Sequence, residues 1–297
     1  MPFFIYTMIK IYNSPIQKIT FNNHQFLVKR DDLLHKDFSG NKARKFHYFL
    51  DNDFPQIDTV ISYGSNQSNA MYSLSVLAKL KGWRFIYYTD HIPSYLEQNP
   101  QGNYKYALEN DMEIRFKDEG EEIRAQSKNE LYISEGGSII EAQYGLEVLA
   151  NEIREYQSLK SIRDLKVFLP SGTGTTALYL QKYLDNEVLT CPCVGDSEYL
   201  KKQFLELEND ESTHPTIIKP PRKFHFGKLY KENFEIWKEL KEQTNIEFDL
   251  LYDPIGWQTL LDHMQTSSLT YPIIYIHQGG LIGNETMLAR YVRKYEK

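Results

Sequence analysis

Lys42 and Lys45 stand three residues apart in the stretch Ser39-Gly40-Asn41-Lys42-Ala43-Arg44-Lys45. An extended run from Phe26 to Leu34 precedes it, and the helical-looking run Phe46-His47-Tyr48-Phe49-Leu50 follows. Ser39-Gly40-Asn41 is turn and N-cap chemistry, so the spacing predicts Lys42 in the first turn of a helix, with Lys45 on the same side. The free N–H groups and partial positive charge of a helix start disfavour an ammonium and favour a neutral, nucleophilic amine. They also suit a bound phosphate. The pair therefore offers an imine-forming amine beside a phosphate ligand. Two solvated helix lysines would read the same way, and the remaining chain has to decide between them.

Three loops share a small polar composition and a place between strand and helix: Gly64–Asn69, Gly136–Ser138 and Ser171–Thr176. In open α/β sheets ligands bind at such places, at the carboxyl ends of strands. In the third loop Gly172 and Gly174 let backbone N–H groups approach a ligand, and Thr173, Thr175 and Thr176 add hydroxyls. It lacks the lysine of a nucleoside-triphosphate loop and the third glycine of a dinucleotide loop, so a single terminal phosphate suits it better. A plain strand-to-helix turn with a threonine N-cap is the other reading. Ser68-Asn69 likewise reads as an N-cap, or as a hydroxyl and an amide for a ligand's carboxylate and ring oxygen. A lysine for an imine and a phosphate loop together are what pyridoxal phosphate requires.

The elements that must hold these residues follow from hydrophobic periodicity. Strands are expected at 3–12, 16–21, 25–29, 57–62, 83–88, 112–116, 131–134, 165–169, 188–194, 246–252 and 273–276. Asn22-Asn23-His24 reads as a hairpin turn. Helices are expected after Lys45 and at 70–81, 103–110, 146–156, 177–184, 198–209, 233–244 and 258–264, with 119–128 as an acidic, solvated helical stretch. The alternation implies an α/β fold of two open, mostly parallel twisted sheets flanked by helices.

Composition narrows the class. The 297 residues are 41% hydrophobic and 25% charged, as expected of a soluble globular protein of two domains or one large one. A formal net charge of −6 argues against a nucleic-acid surface. The 22 tyrosines and 16 phenylalanines are scattered, which favours core packing over a base-stacking platform. Cys191-Pro192-Cys193 matches neither a redox pair nor a zinc half-site, so free thiols in a reducing compartment and no metal are expected. The apolar N-terminus lacks a basic leader, and no apolar run reaches membrane-spanning length. A cytoplasmic protein without membrane contact is expected.

Taken together, these pieces resemble the fold-type II (tryptophan synthase β-like) pyridoxal-phosphate enzymes, within them the aminocyclopropane-carboxylate deaminase and D-cysteine desulfhydrase group. The resemblance runs through Lys29-Arg30-Asp31-Asp32-Leu33, Ser39 to Lys45, Gly64-Ser65-Asn66-Gln67-Ser68-Asn69, Gly136-Gly137-Ser138, Ser171 to Thr176, Tyr252-Asp253 and His277-Gln278-Gly279-Gly280. It implies pyridoxal phosphate in a cleft between a larger domain (1–44 with 154–297) and a smaller inserted one (45–153). It implies that Lys42 carries the imine and takes the substrate's α-proton. Lys45 and the Ser171, Gly172, Thr173, Gly174, Thr175 and Thr176 loop would hold the phosphate. Asn69 would contact the ring oxygen, Gln67 and Ser68 the substrate carboxylate, and Ser68 could also move a proton. Tyr252 matches the family's active-site tyrosine, and Asp253 falls where some members place the partner of the pyridine nitrogen. A small amino-acid substrate and a homodimer are further implications.

Two departures from the family pattern bear on the reaction. Phe226, in Phe224-His225-Phe226-Gly227, stands where ring-opening members carry a second tyrosine, and phenylalanine can neither give nor take a proton. That favours β-elimination of the D-cysteine type, with Tyr230 as a nearby substitute hydroxyl that would restore the deaminase reading. Pro254-Ile255-Gly256-Trp257 replaces a small-residue loop and is expected to reshape the substrate side of the pocket. A phosphate- or nucleotide-binding protein without lyase chemistry is the reading from another class.

Overall fold

The computed structural model describes residues 9–118, 120–267 and 271–296. The chain opens with β1 (Ile16–Phe21) and β2 (His24–Arg30), then α1 (Gly40–Asp51). A first run of alternating elements follows: β3 (Thr59–Tyr63), α2 (Asn69–Lys81), β4 (Arg84–Thr89), α3 (Ser94–Gln98), α4 (Gly102–Leu108), β5 (Met112–Phe116) and β6 (Glu130–Tyr132). After α5 (Ala142–Leu159) come β7 (Lys166–Ser171), α6 (Thr175–Tyr183), β8 (Val188–Pro192), α7 (Ser197–Leu205) and β9 (Thr216–Ile217). The chain closes with α8 (Lys231–Thr244), α9 (Asp253–Ser267), β10 (Ile273–His277) and α10 (Asn284–Tyr295).

Two sheets result, one of six strands in the order β1-β2-β10-β7-β8-β9 and one of four in the order β5-β4-β3-β6. Every pairing is parallel except β1 with β2, which are joined by the expected hairpin through Asn22 and Asn23, both at positive φ. The expected α/β class with two mostly parallel sheets is what the chain adopts. One apolar cluster, from Phe21 to Tyr291, fills one face of the larger sheet, and α5 and α6 cover the other face. A third cluster, built on Leu74, Leu77, Phe85 and Tyr87, packs the smaller sheet against α1, α2 and α4. Helices α1 and α5 cross closely at Gly145, where a Cβ would lie 2.0 Å from the Arg44 carbonyl oxygen.

Three expected elements differ. Of the strand expected at 3–12, residues 1–8 lie outside the described residues and Ile9–Tyr12 is not a strand. Of the acidic helix at 119–128, Glu119 lies outside the described residues and 120–128 contains no helix. That stretch has only Ile123 to bury, against Ile61 and Ile86, and a helix without an apolar stripe has nothing to hold it. Residues 246–252 are not a strand either. Side chains take their backbone groups instead: Trp237 Nε1 and Asn284 Nδ2 donate to the Phe248 carbonyl, and Asn284 Oδ1 accepts the Leu250 N–H.

Candidate active site

Helix α1 begins at Gly40 with φ +67°, and a Cβ there would sit 2.0 Å from the Gln278 carbonyl oxygen, so only glycine fits. Gln278 then takes over the helix start. Its carbonyl accepts the Asn41 N–H at 3.0 Å, its Oε1 accepts from Asn41 Nδ2 at 3.0 Å, and its Nε2 donates to Pro170 O at 2.6 Å. One side chain thus ties the lysine helix to the ends of β10 and β7. At this helix start a protein carbonyl already occupies the Asn41 N–H. Ser39 is the N-cap in backbone conformation, but its side chain accepts no N–H.

Lys42 and Lys45 lie one helical turn apart on α1. Lys45 is buried to 2% exposure and donates to Gly136 O at 2.9 Å, and Lys42 lines a cleft with Asn41, Asn69 and Gln278. Burial pushes the Lys42 amine down to about 8. Burial, and then the neighbouring Lys42 charge, hold Lys45 well below its usual value. Among the described residues no carboxylate forms an ion pair with either amine, although Asp32 and Asp37 line the cleft with Lys42.

Arg44, between them in sequence, faces a different environment. It is fully buried and forks onto Asp31 (Nε to Oδ2 3.0 Å, Nη2 to Oδ1 2.8 Å) and onto Glu152 (2.7 and 2.8 Å), with a further bond to Ile11 O. Lys29 joins Glu152 at 2.5 Å, and Ser14 Oγ donates to Asp31. The cluster locks α1 to β2 and to α5, and so sets the rotation that turns Lys42 and Lys45 the other way.

The loops from both sheets meet at Lys45. Its Cδ lies 3.4 Å from where a Gly137 Cβ would stand, and Thr173 packs on Gly136. Thr175 Oγ1 donates to Ser138 Oγ at 3.3 Å and faces Thr173 Oγ1 at 3.3 Å. Lys45, Gly136–Ser138 and Thr173–Thr175 thus form one contiguous polar surface. Gly174, at φ +75°, caps α6. The rest of the expected phosphate loop is placed differently. Ser171 ends β7 with its hydroxyl buried on Thr190 Oγ1 at 2.7 Å, and Thr176 is buried within α6. The Ser171 hydroxyl is engaged because β7 runs two residues further than its periodicity indicates.

Asn69 opens α2, accepts from Asn103 Nδ2 at 2.6 Å, and points its own amide at Gly280. Ser68 is the true N-cap, its Oγ accepting from Ala70 and Met71 N–H at 3.2 and 3.4 Å. Gln67 donates to Gln101 O, while its buried Oε1 has no partner among the described residues. A cleft of about 120 Å³ is lined by Asn41, Lys42, Asn69, Asn103, Gln278 and Gly280, among others.

Tyr252 lies across Gly172, whose Cβ would meet its ring at 3.4 Å, and burial raises its hydroxyl pKa. Phe226 packs on the Tyr252 ring with centroids 5.2 Å apart and is 44% exposed. Tyr230 is turned away, its hydroxyl accepting the His225 N–H at 2.9 Å and its ring set edge-on to Phe224. Asp253 is buried at the first turn of α9, with Oδ2 accepting the Asp249 N–H at 2.9 Å and Oδ1 the Tyr275 hydroxyl at 2.6 Å. Both of its oxygens are already engaged inside the protein. Burial, and then Asp249, push its carboxyl well up. Pro254 to Trp257 do not reshape a pocket: Trp257 is fully buried and stacks on Tyr275 at 4.2 Å, so this segment belongs to the core.

Sequence reasoning missed Asp249 as a site residue and gave Gln278 no role. Asp249 Oδ1 accepts the Leu251 and Tyr252 N–H groups at 2.8 and 2.6 Å, its Oδ2 points at Gly280, and burial raises its carboxyl to about 6. It holds Tyr252 in place from within an apolar run that reads as a strand, so no local signal marks it. No cluster of three or more metal-ligating side chains occurs among the described residues.

Comparison with known proteins accords with this geometry. No family model matches the chain. A protein of Pyrococcus abyssi that carries, by name only, the designation 1-aminocyclopropane-1-carboxylate deaminase is 24% identical over 86% of this chain and 84% of its own length. A crystal structure of an aminocyclopropane-carboxylate deaminase homologue superposes with TM-score 0.77 at 22% identity, covering 96% of this chain and 94% of that one. The fold is that of the type II pyridoxal-phosphate enzymes. Over most of its length the chain is similar to proteins named as aminocyclopropane-carboxylate deaminases and D-cysteine desulfhydrases. A D-cysteine desulfhydrase of Serratia proteamaculans is a second such relative, 22% identical over 90% of this chain and 91% of its own. In this chain Lys45 and the Gly136–Ser138 and Thr173–Thr175 loops gather at one place, and the Ser171 hydroxyl and Asp253 carboxylate are engaged elsewhere.

Proposed function

We propose that the chain is a pyridoxal-phosphate-dependent lyase acting on a small amino acid, with β-elimination of the D-cysteine type to pyruvate, ammonia and sulfide. The observation that carries this reading is the buried Lys45 at the meeting point of the Gly136–Ser138 and Thr173–Thr175 loops, one helical turn from the half-buried Lys42, with no carboxylate paired to either among the described residues. A buried cation needs an anion, and this donor set of one lysine, glycine-rich backbone and threonine hydroxyls fits a phosphate monoester. When bound, pyridoxal phosphate supplies an electron sink for the substrate's α-carbon.

The chain's own groups divide the remaining work. Lys42 Nζ, whose pKa burial lowers to about 8, would hold the cofactor covalently and take the substrate's α-proton. Gln67 and Ser68 would hold the substrate carboxylate, for which Gln67 would turn its Nε2 away from Gln101 O. Asn69 would contact the ring oxygen. Tyr252 would wall the pocket with its hydroxyl kept protonated. Asp253 as partner of the pyridine nitrogen would have to leave Tyr275 or share it.

The second reading is aminocyclopropane-carboxylate deaminase chemistry, yielding 2-oxobutanoate and ammonia, a name that relatives carry. Phe226 on the face of Tyr252 weighs against it, because the hydroxyl that ring opening would use is missing there. Purified protein offered D-cysteine and the cyclopropane acid separately decides the matter. The proposal expects sulfide and pyruvate from the first and little 2-oxobutanoate from the second, and the reverse pattern would overturn it. A colourless protein that acquires no borohydride-reducible adduct would instead favour a phosphate-binding protein without lyase activity.

The division into 1–44 with 154–297 and 45–153 remains part of this proposal. Two separate sheets support it, although α5 spans the boundary and packs on the larger sheet. Among the described residues no helix is long and apolar enough to cross a membrane. The buried, unbridged Cys191 and Cys193 support a reducing, cytoplasmic setting, and a homodimer is proposed on the family resemblance alone.

A further inference from the structure

We propose that Asn103 is a positioning residue for Asn69, fixing the Asn69 side chain so that it offers the cleft an N–H rather than a carbonyl and so favours an ionised ring oxygen on the ligand bound there. This rests on the reading of Asn69 as the group that contacts the cofactor's ring oxygen, and it adds a residue to that contact.

The orientation follows from which atoms can donate. Asn103 is 1% exposed in the first turn of α4, and its Nδ2 donates to the Gln67 carbonyl at 2.9 Å. A backbone carbonyl only accepts, so the Asn103 atom that faces it must be the amide nitrogen. The same nitrogen meets Asn69 at 2.6 Å, and only Oδ1 of Asn69 can accept there. Reversing the Asn69 amide would set two NH2 groups against each other and strand a buried donor. Asn69 Nδ2 is thereby turned toward Gly280 and the cleft that also holds Lys42. Gly280 leaves the room for it, since a Cβ there would lie 2.6 Å from that nitrogen. Among the described residues Asn69 Nδ2 donates to no protein group, so its N–H is left for a ligand. A fixed donor stabilises an ionised oxygen more than a hydroxyl, and a carbonyl in its place would do the reverse.

Asn103 is itself held from outside the cleft. The Gly102 N–H at the start of α4 donates to Glu285 Oε2 at 3.2 Å, and the Tyr106 hydroxyl donates to Glu285 Oε1 at 3.1 Å. Glu285 lies on α10, which packs on the larger sheet through Met287 and Tyr291, whereas α4 packs with the smaller sheet through Tyr104 and Ala107. The amide pair is therefore fixed from both sides of the molecule. The charged groups nearby do not take over the Asn69 amide. Asp249 Oδ2 also faces Gly280, 3.3 Å from where its Cβ would stand, while Oδ1 holds the Leu251 and Tyr252 N–H groups. Asp32, Lys36, Asp37 and Lys42 line the same cleft, and the Arg30 fork holds Asp32 at 2.9 and 2.6 Å.

A double-mutant cycle read on a bound ring tests the idea. Pyridoxine phosphate carries the ring hydroxyl and the phosphate but no aldehyde to react with Lys42, and its ultraviolet spectrum reports ionisation of that hydroxyl. Titrating the probe bound to the full-length chain gives the hydroxyl's bound pKa. Asn69→Ala should raise it enough to cut the ionised fraction about tenfold at a given pH. Asn103→Leu should raise it by nearly as much, and the double variant by no more than Asn69→Ala alone. Asn103→Asp, nearly the native shape, serves should the leucine variant not fold. Its carboxylate accepts from Asn69 and reverses the amide, so it should raise the pKa more in the native background than in Asn69→Ala. A rise in Asn69→Ala with none in either Asn103 variant overturns the inference and leaves the reading of Asn69 standing. An Asn103 effect of equal size with and without Asn69 does the same. No rise in Asn69→Ala defeats the reading of Asn69 and the inference with it, and a native chain that does not bind the probe defeats the proposed function and both.

Discussion

Helix α1 carries buried cations on two sides, and their surroundings are opposite. Arg44 meets two carboxylates, Asp31 and Glu152, in four hydrogen bonds, while Lys45 meets one carbonyl and Lys42 lines a cleft. A cation neutralised within the fold is part of the frame. A cation left without its anion carries a free-energy cost that a ligand can remove. The difference separates the structural side of the helix from the side to which the proposed function assigns a phosphate.

The largest effect that would break this contrast is at Lys42 itself. Lys42→Ala should lower turnover by about 10²–10⁴-fold or more while leaving the far-ultraviolet circular dichroism unchanged, and full turnover would remove Lys42 from the site. Next, Arg44→Met should cost about 3–5 kcal/mol in urea unfolding, because Asp31 and Glu152 lose their buried partner. Lys45→Met should leave stability unchanged or raise it, yet weaken binding of the cofactor phosphate. Equal destabilisation by the two substitutions would erase the distinction between the two sides.

The pH dependence should differ in the same way. Burial pushes Asp31 up, but Arg44 pulls it further down, so its folded pKa lies below the usual 3.8. The stability it contributes is present above 3.8 and is lost as pH falls through the lower folded value. Lys42 and Lys45 have folded pKa values below the usual 10.5. Between about 8 and 10.5 the unfolded chain binds more protons at Lys42, so its contribution makes stability rise with pH across that window. Urea midpoints of the native chain and Lys42→Met over this range check the slope, which the substitution should reduce. The smallest expected effect is at Phe226. Phe226→Tyr puts a hydroxyl beside Tyr252 and should raise 2-oxobutanoate formation from the cyclopropane acid by about tenfold relative to sulfide formation from D-cysteine.

The parallel sheets and the lysine pair were legible because their signals are local. β-Branched runs bounded by turn residues, and two lysines at i and i+3, fix strands and a shared helix face within a few residues. What escaped was set from far away in the chain. Residues 246–252 look like a strand, but Asn284 and Trp237 satisfy their backbone, and this leaves Asp249 and Tyr252 on an irregular segment beside the site. Gln278 closes the start of α1 across 237 residues, a bond that no periodicity reveals. Ser171 and Asp253 carry the right chemistry for their expected roles, and only the partners Thr190 and Tyr275 show that they are already engaged.

The most direct test of the account is where the cofactor attaches. Full-length protein incubated with pyridoxal phosphate should acquire visible absorbance that shifts on addition of D-cysteine. Borohydride reduction followed by peptide mass spectrometry should place a single pyridoxyl group on Lys42, and Lys42→Ala should take up none. A label on another lysine, or no label on a protein that binds inorganic phosphate at Lys45, would contradict the account.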